Sequence, residues 1–220
     1  MEKAEQRLEA VRTAITRAAK VAGRDPSKIT LIAVSKMHEP DRIRPLLEVG
    51  HRDFGENRVQ EAQRKWPALK EEFPDVRLHM VGRLQSNKAA DAAGLFDCIH
   101  SVDRSSLVKE LGKAAADHPT RTFLQVDIGE EEQKGGCPIG EIGALHSRME
   151  EAGIAPTGLM CIPPAGTEAA PYFALLAKLA GEQGLADLSM GMSADYESAV
   201  MLGATHVRVG TALFGDRPSP

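Results

Sequence analysis

Lys36 is the residue whose type and position most suggest chemistry. It directly follows Ile29-Thr30-Leu31-Ile32-Ala33-Val34-Ser35, an apolar run that reads as a buried strand. An amine at a strand end, held in a partly dry mouth, would have a depressed pKa, and its neutral form attacks aldehydes. A solvated loop lysine is the plainer reading. Two later segments bear on the choice. In Leu188-Ser189-Met190-Gly191-Met192-Ser193-Ala194-Asp195, Gly191 lets the backbone approach a ligand, and Ser193 suits the N-cap of the helix that follows. Free N–H groups at a helix start attract anions; a cap without a ligand is the alternative. In Val207-Arg208-Val209-Gly210-Thr211-Ala212-Leu213-Phe214-Gly215, Gly210 and Thr211 offer backbone N–H groups and one hydroxyl. Arg208 lies within a strand and must point into the protein or its mouth. A buried arginine needs partners, so pairing with a core carboxylate is the structural alternative.

The elements that must position these residues follow a simple rhythm. The segment 1–23 is an amphipathic helix, with Leu8, Val11, Ile15, Ala18, Ala19 and Ala22 near helical spacing and Gly23 as its stop. Short apolar runs then mark strands at 29–34, 51–54, 77–81, 98–101, 122–128, 158–162, 185–190 and 206–209. Helical patterns separate them at 40–49, 58–69, 87–93, 104–116, 139–152, 168–183 and 195–202. This alternation means βαβ units and a parallel sheet. Eight strands favour an α/β closed (β/α)8 TIM-type barrel with an extra N-terminal helix over an open doubly wound sheet. Neither GxGxxG nor GxxxxGK[ST] follows the first strand, which weakens a dinucleotide or nucleotide reading. The chain reads as a single domain over 1–220, with 215–220 a loose tail. Barrel active sites sit at the carboxyl ends of the strands, and the loops after strands seven and eight frequently bind phosphate. Here Lys36 ends the first strand, and those two loops carry small and hydroxyl residues. An aldehyde-reactive amine facing a phosphate cradle describes a pyridoxal 5′-phosphate (PLP) site, or a class I aldolase for a phosphorylated sugar.

Composition excludes other classes. The formal net charge of −4 argues against a nucleic-acid binder. The three cysteines, Cys98, Cys137 and Cys161, are odd in number and far apart, so the reading is a reducing cytoplasm without disulfides. The charged N-terminus is no signal peptide, and no apolar run is long enough to span a bilayer. The seven histidines show no HExxH, no Cys/His spacing fits zinc, and no GxSxG elbow occurs, so no metal is expected.

The stretches IAVSK, FGENRVQE, HMVGRLQSNK, GLMCIPP, LSMGMSADYESAV and GATHVRVGTALFG together resemble the pyridoxal phosphate homeostasis protein family, in family order along the chain. That family is similar to the N-terminal barrel of alanine racemase, a fold-type III PLP protein. The resemblance implies that Lys36 forms a Schiff base with PLP and that Ser193, Gly210 and Thr211 bind its phosphate. It places Arg208 beside the pyridine nitrogen, where a cation leaves that nitrogen unprotonated and the ring a weaker electron sink. Asn57, in the Gly55-Glu56-Asn57 motif, is expected to face the cofactor, with a turn and helix N-cap residue as the alternative. His79 and Asn87 fall in the third-strand motif, where His79 reads as a mouth residue or as a satisfied core histidine. Lys88 reads as a surface cation. Lys134 matches a lysine–small–glycine step that would attract PLP or a partner transiently, although a solvated loop is the plainer reading. Two positions depart from the family: Leu78 replaces an aromatic, and His38 replaces a basic residue two places after the Schiff-base lysine. No catalytic residue is assigned. A racemase or decarboxylase would need a second proton-transfer group, yet Tyr172 and Tyr196 both fall in helical segments and the chain ends soon after the eighth strand. A cytoplasmic, monomeric PLP carrier is therefore favoured over an enzyme, with apo PLP-dependent enzymes as its candidate partners and no role for nucleic acid or membrane.

Overall fold

A closed parallel barrel needs strands buried on both faces, and the short β-branched runs meet that need. The computed structural model describes residues 2–131 and 135–215. In it β1 (Thr30–Val34), β2 (Asp53–Glu56), β3 (Arg77–Met80), β4 (Cys98–Val102), β5 (Arg121–Val126), β6 (Pro156–Cys161), β7 (Asp187–Ser189) and β8 (His206–Val209) close into a barrel in sequence order. All eight pairings are parallel, and β1 closes on β8 with Ala33 opposite Val209. The expected (β/α)8 architecture is what forms. Helices α2 (Pro40–Glu48), α3 (Val59–Glu72), α4 (Ala89–Ala93), α5 (Ser105–Ala115), α6 (Ile142–Glu151), α7 (Ala170–Glu182) and α8 (Tyr196–Met201) connect the strands, and α9 (Thr211–Phe214) is a single turn after β8. Helix α1 (Glu2–Val21) buries Leu8, Val11, Ile15, Ala18 and Ala19 and packs on α8, α9 and α2. Gly23, at φ +66, reverses the chain at its end.

One strand sits two residues later than the hydropathy pattern places it. The run 51–54 reads as ending at Phe54 because Glu56 is charged, yet β2 extends through a fully buried Glu56. Lys134 and residues 216–220 lie outside the described residues. Among the described residues no helix is long and apolar enough to cross a membrane. The three cysteines are free and buried.

The barrel interior departs from the branched aliphatic filling usual in this fold. A small apolar cluster of Cys98, Phe123 and Met160 shares it with histidines. His100 on β4 stacks on Phe123 with ring centroids 4.4 Å apart, and His206 on β8 meets the same ring edge-on. His100 also reaches Ser189 on β7, a strand that is not its neighbour, so the contact crosses the interior. Of the two readings of His79, the mouth residue fails and the satisfied core histidine holds: its ring bonds His100 and Asp53 inside the barrel.

Three buried imidazoles make the fold acid-sensitive. Burial lowers the pKa of His51 to about 4, that of His206 to about 3, and that of His100 well below its ordinary value. In the unfolded chain each returns to about 6.5. Below that pH the unfolded state takes up protons that the folded state excludes, so stability falls as pH falls. Each group contributes a slope that grows from about half of 1.4 kcal/mol per pH unit at pH 6.5 toward the full value as its unfolded form becomes protonated, so the three together approach about 4 kcal/mol per unit near pH 5. Melting temperature, followed by circular dichroism, is expected to drop steeply between pH 6.5 and 5. A flat profile there would show that these rings are protonated in the fold.

Candidate functional site

The β1–α2 connection is built to hold one turn still. Ser35 donates its N–H to Gly55 O at 2.9 Å, and His38 donates back to Ser35 O at 3.1 Å, closing a turn with Lys36 and Met37 at its tip. Met37 adopts φ +63, an uncommon conformation for a side-chain-bearing residue. Its N–H donates to Glu61 Oε1 at 2.6 Å. Beneath the turn, the buried ammonium of Lys65 donates to Ser35 O at 3.0 Å, to His38 O at 3.2 Å and to Glu61 Oε1 at 2.9 Å. It also pairs with Glu56 Oε1 at 2.6 Å, where both side chains are essentially inaccessible. The same carboxylate oxygen accepts from Ser35 Oγ at 2.7 Å and from Trp66 Nε1 at 3.0 Å. Burial pushes the Glu56 carboxyl up from its ordinary pKa, against the pull of Lys65. Lys36 is thus carried on a turn anchored from below, half-buried at the carboxyl end of β1.

The opposite wall comes from β7 and β8. Gly191, at φ +91, lies so close to α8 that a Cβ there would fall 2.5 Å from Ala199 Cβ. Ser193 does not cap α8, contrary to the helix-start reading. The helix begins at Tyr196 after Asp195, and Asp195 Oδ1 instead accepts from the Met192 N–H at 2.5 Å. This frees the Ser193 hydroxyl to face β8, where it accepts from the Gly210 N–H at 3.3 Å. Arg208 is fully buried. It donates to Ser189 O at 2.8 Å, Ser189 Oγ at 2.7 Å and Cys161 O at 2.8 Å, so carbonyls and a hydroxyl satisfy it rather than a core carboxylate. Burial pulls its pKa down from the ordinary value, though a guanidinium stays charged throughout the range a protein tolerates.

These walls enclose a cavity of about 330 Å³ lined by Lys36, Asn57, Ser193, Arg208, Gly210 and Thr211, with His38 and Ile162 among the remaining residues. All six positions singled out from the sequence meet here. Asn57 is brought in by a close approach: a Cβ on Gly82 would lie 2.4 Å from Asn57 O, so only glycine lets the β3–α4 connection pack on it. His38 stacks on Phe214 at 4.6 Å, which ties the lysine turn to α9. Among the described residues lining the cavity, none is Asp, Glu or Tyr. Tyr172 and Tyr196 lie on α7 and α8.

Other candidates fall elsewhere. Lys88 pairs with Asp91 and lines a separate groove of about 680 Å³ with Arg58, Arg83 and Arg104, which adjoins the cavity at Asn57. Asn87 is exposed outside the cavity. His79, Cys98 and His100 bring their donor atoms within 4.8 Å of one another, although their sequence spacing fits no metal motif, because β3 and β4 are neighbours. Sequence reasoning missed Glu56, Glu61 and Lys65. The only local signal was the i, i+4 spacing of Glu61 and Lys65, which ordinarily means an exposed helix pair.

The alanine racemase N-terminal-domain family matches residues 7–218. A Pseudomonas aeruginosa protein named pyridoxal phosphate homeostasis protein is 40% identical over 213 residues, covering 92% of this chain and 91% of its own. The structure of PipY from Synechococcus elongatus with PLP bound is 39% identical with a TM-score of 0.77, covering 92% of this chain and all of that one. Alanine racemase from Bacillus anthracis shares the fold at 18% identity and a TM-score of 0.67, with 96% of this chain matched to 57% of that chain. With this match along nearly its full length, and with the lysine turn facing Ser193, Arg208 and Gly210 across one cavity, the chain belongs to the pyridoxal phosphate homeostasis protein family.

Proposed function

We propose that this chain holds PLP reversibly at the barrel mouth, tethered covalently to Lys36, and serves cytoplasmic PLP homeostasis without robust turnover of an amino-acid substrate. The observation that carries this reading is the composition of one cavity: a lysine amine, a buried guanidinium and Ser, Gly and Thr donors, with no carboxylate among the described lining residues. Its volume of about 330 Å³ suits a small organic anion. PLP, when bound, supplies an electrophilic aldehyde and a phosphate dianion. Lys36 is the amine for the first. The Ser193 and Thr211 hydroxyls and the Gly210 N–H are the donors for the second, and Asn57 adds an amide at the rim. Arg208, held by three hydrogen bonds, keeps a fixed positive charge at the inner wall and raises the cost of placing a second one beside it.

The same lining supports a carrier over a racemase. Proton transfer on both faces of a carbon needs two positioned groups, and neither tyrosine lines the cavity. The chain is read as a monomer, with apo PLP-dependent enzymes as candidate recipients. Purified protein titrated with PLP is expected to become yellow at a ratio of one cofactor per chain. The loaded protein, incubated with single enantiomers of amino acids, is expected to racemise or decarboxylate them no faster than free PLP does. Failure to take up PLP would overturn the cofactor assignment, and turnover at ordinary enzymic rates would overturn the carrier role.

A further inference from the structure

Arg208 does not stand alone in the barrel core. Its Nη1 donates to Ser189 Oγ at 2.7 Å, and Ser189 Oγ lies 2.8 Å from His100 Nδ1. His100 Nε2 lies 3.0 Å from His79 Nδ1, and His79 Nε2 lies 3.1 Å from Asp53 Oδ1. Asp53 is gripped at the barrel floor by Arg77 through a bidentate pair at 2.8 and 2.6 Å. The row runs from β8 through β7, β4 and β3 to β2, and every member is buried.

The two ends dictate its direction. A guanidinium can only donate and an ionised carboxylate can only accept. Ser189 Oγ, which accepts from Arg208, therefore has its proton to give to His100 Nδ1. His100 must then carry its proton on Nε2 and donate to His79 Nδ1, and His79 carries its own on Nε2 and donates to Asp53. In this arrangement each of these hydrogen bonds joins one donor to one acceptor, with none left over. The opposite direction would make Ser189 Oγ accept twice and leave its proton without a partner in the row. Two side observations agree. Burial opposes ionisation of Asp53, yet the hydrogen bonds from His79 and Arg77 hold its pKa down to about 2. Burial keeps His100 neutral. Of the other titratable groups against the row, His206 is engaged by Thr205 Oγ1 at 2.8 Å, and Cys98 lies within 4.8 Å of His79 and His100 with its thiol kept protonated by burial.

The geometry points to Asp53, His79, His100 and Ser189 as a one-directional hydrogen-bond relay that positions the Arg208 guanidinium at the wall of the cofactor cavity. These are positioning residues: they act through Arg208 and do not line the cavity. Bonds in such a row polarise one another, so loss of an inner member is felt at Arg208. The inference rests on the PLP reading for its target, but the relay itself is testable without the cofactor.

The first measurement is nitrogen-resolved NMR of the imidazoles in ligand-free protein. Both His79 and His100 are expected as the Nε2–H tautomer, and an Nδ1–H tautomer at His100 would overturn the relay whatever binds above it. The second is PLP titration of Ser189→Ala, with Ser189→Thr as the variant that keeps the hydroxyl. Ser189→Ala is expected to weaken retention about tenfold, the usual order for one charge-assisted hydrogen bond, and to shift the absorption band of the bound cofactor. Ser189→Thr is expected to keep the wild-type band. A folded Ser189→Ala protein with wild-type band and affinity would overturn the proposal, since a merely structural role lowers melting temperature without moving the spectrum. Wild-type protein that binds no PLP overturns the cofactor reading instead, and the tautomer result still decides the relay.

Discussion

Replacing Lys36 with alanine is expected to abolish covalent attachment of PLP while leaving the fold intact. After borohydride reduction, mass spectrometry of wild-type protein should show one added cofactor, on the peptide that contains Lys36. The K36A protein should show none. The effect is large because, among the described residues lining the cavity, Lys36 carries the one amine able to form that bond, whereas Ser193, Gly210 and Thr211, proposed as phosphate donors, would hold the ligand only without a covalent link. Lys36→Arg is expected to fail as completely, since a guanidinium is not deprotonated in a protein and offers no free amine. Stability should change little in both variants. The turn is closed by backbone groups of Ser35 and His38 and by Met37 N–H on Glu61, and its support from below comes from Lys65. A K36A protein that still acquires a reducible adduct would move the tether elsewhere and remove the basis of the proposed function.

Replacing Lys65 with methionine is expected to be the most destabilising single change near the site. It leaves Glu56 buried against Trp66 and Ser35 with no cation, and breaking a buried pair from one side costs about 3–5 kcal/mol. For a chain of this size that corresponds to a fall of about 10 °C in melting temperature. The double variant Lys65→Met, Glu56→Met separates two roles of the pair. Removing both charges relieves the uncompensated carboxylate, and such replacements are often neutral. Melting temperature should therefore recover. Cofactor retention should not, because Ser35 O and His38 O have still lost the ammonium that holds the lysine turn. Equal recovery of both properties would show that Lys65 acts on stability alone.

These two lysines mark the boundary between what local pattern reveals and what it hides. Lys36 was legible because its signal is local: a β-branched run ends, and a lysine follows at once. The residues of the opposite cavity wall were legible for a similar reason. Gly210 and Thr211 follow a strand directly, and short connections after the seventh and eighth strands must lie together once eight strands close in order. Lys65 and Glu56 gave the opposite impression. A charged residue in a helix beside an i, i+4 glutamate reads as solvent-facing, and a glutamate at the end of an apolar run reads as the end of a strand. Both are buried because they meet each other, and their meeting depends on how α3 lies against β1 and β2. Ser193 shows the same limit on a smaller scale. Its type suits a helix cap, but the backbone between Gly191 and Asp195 turns so that Asp195 takes the neighbouring N–H and the serine faces Gly210.

The amino-acid sequence by itself determined the alternation of eight strands with helices, the order in which they close and the cluster of small and hydroxyl residues opposite Lys36. Those features rest on periodicity and turn chemistry, which act over a few residues. Only the tertiary structure decided which polar side chains are buried as partners: Lys65 with Glu56, and Arg208 with Ser189, His100, His79 and Asp53. A barrel interior joins strands that are distant along the chain, so hydrogen bonds across it leave no periodic trace in the sequence. Whether a buried charge is tolerated depends on those contacts and on nothing local.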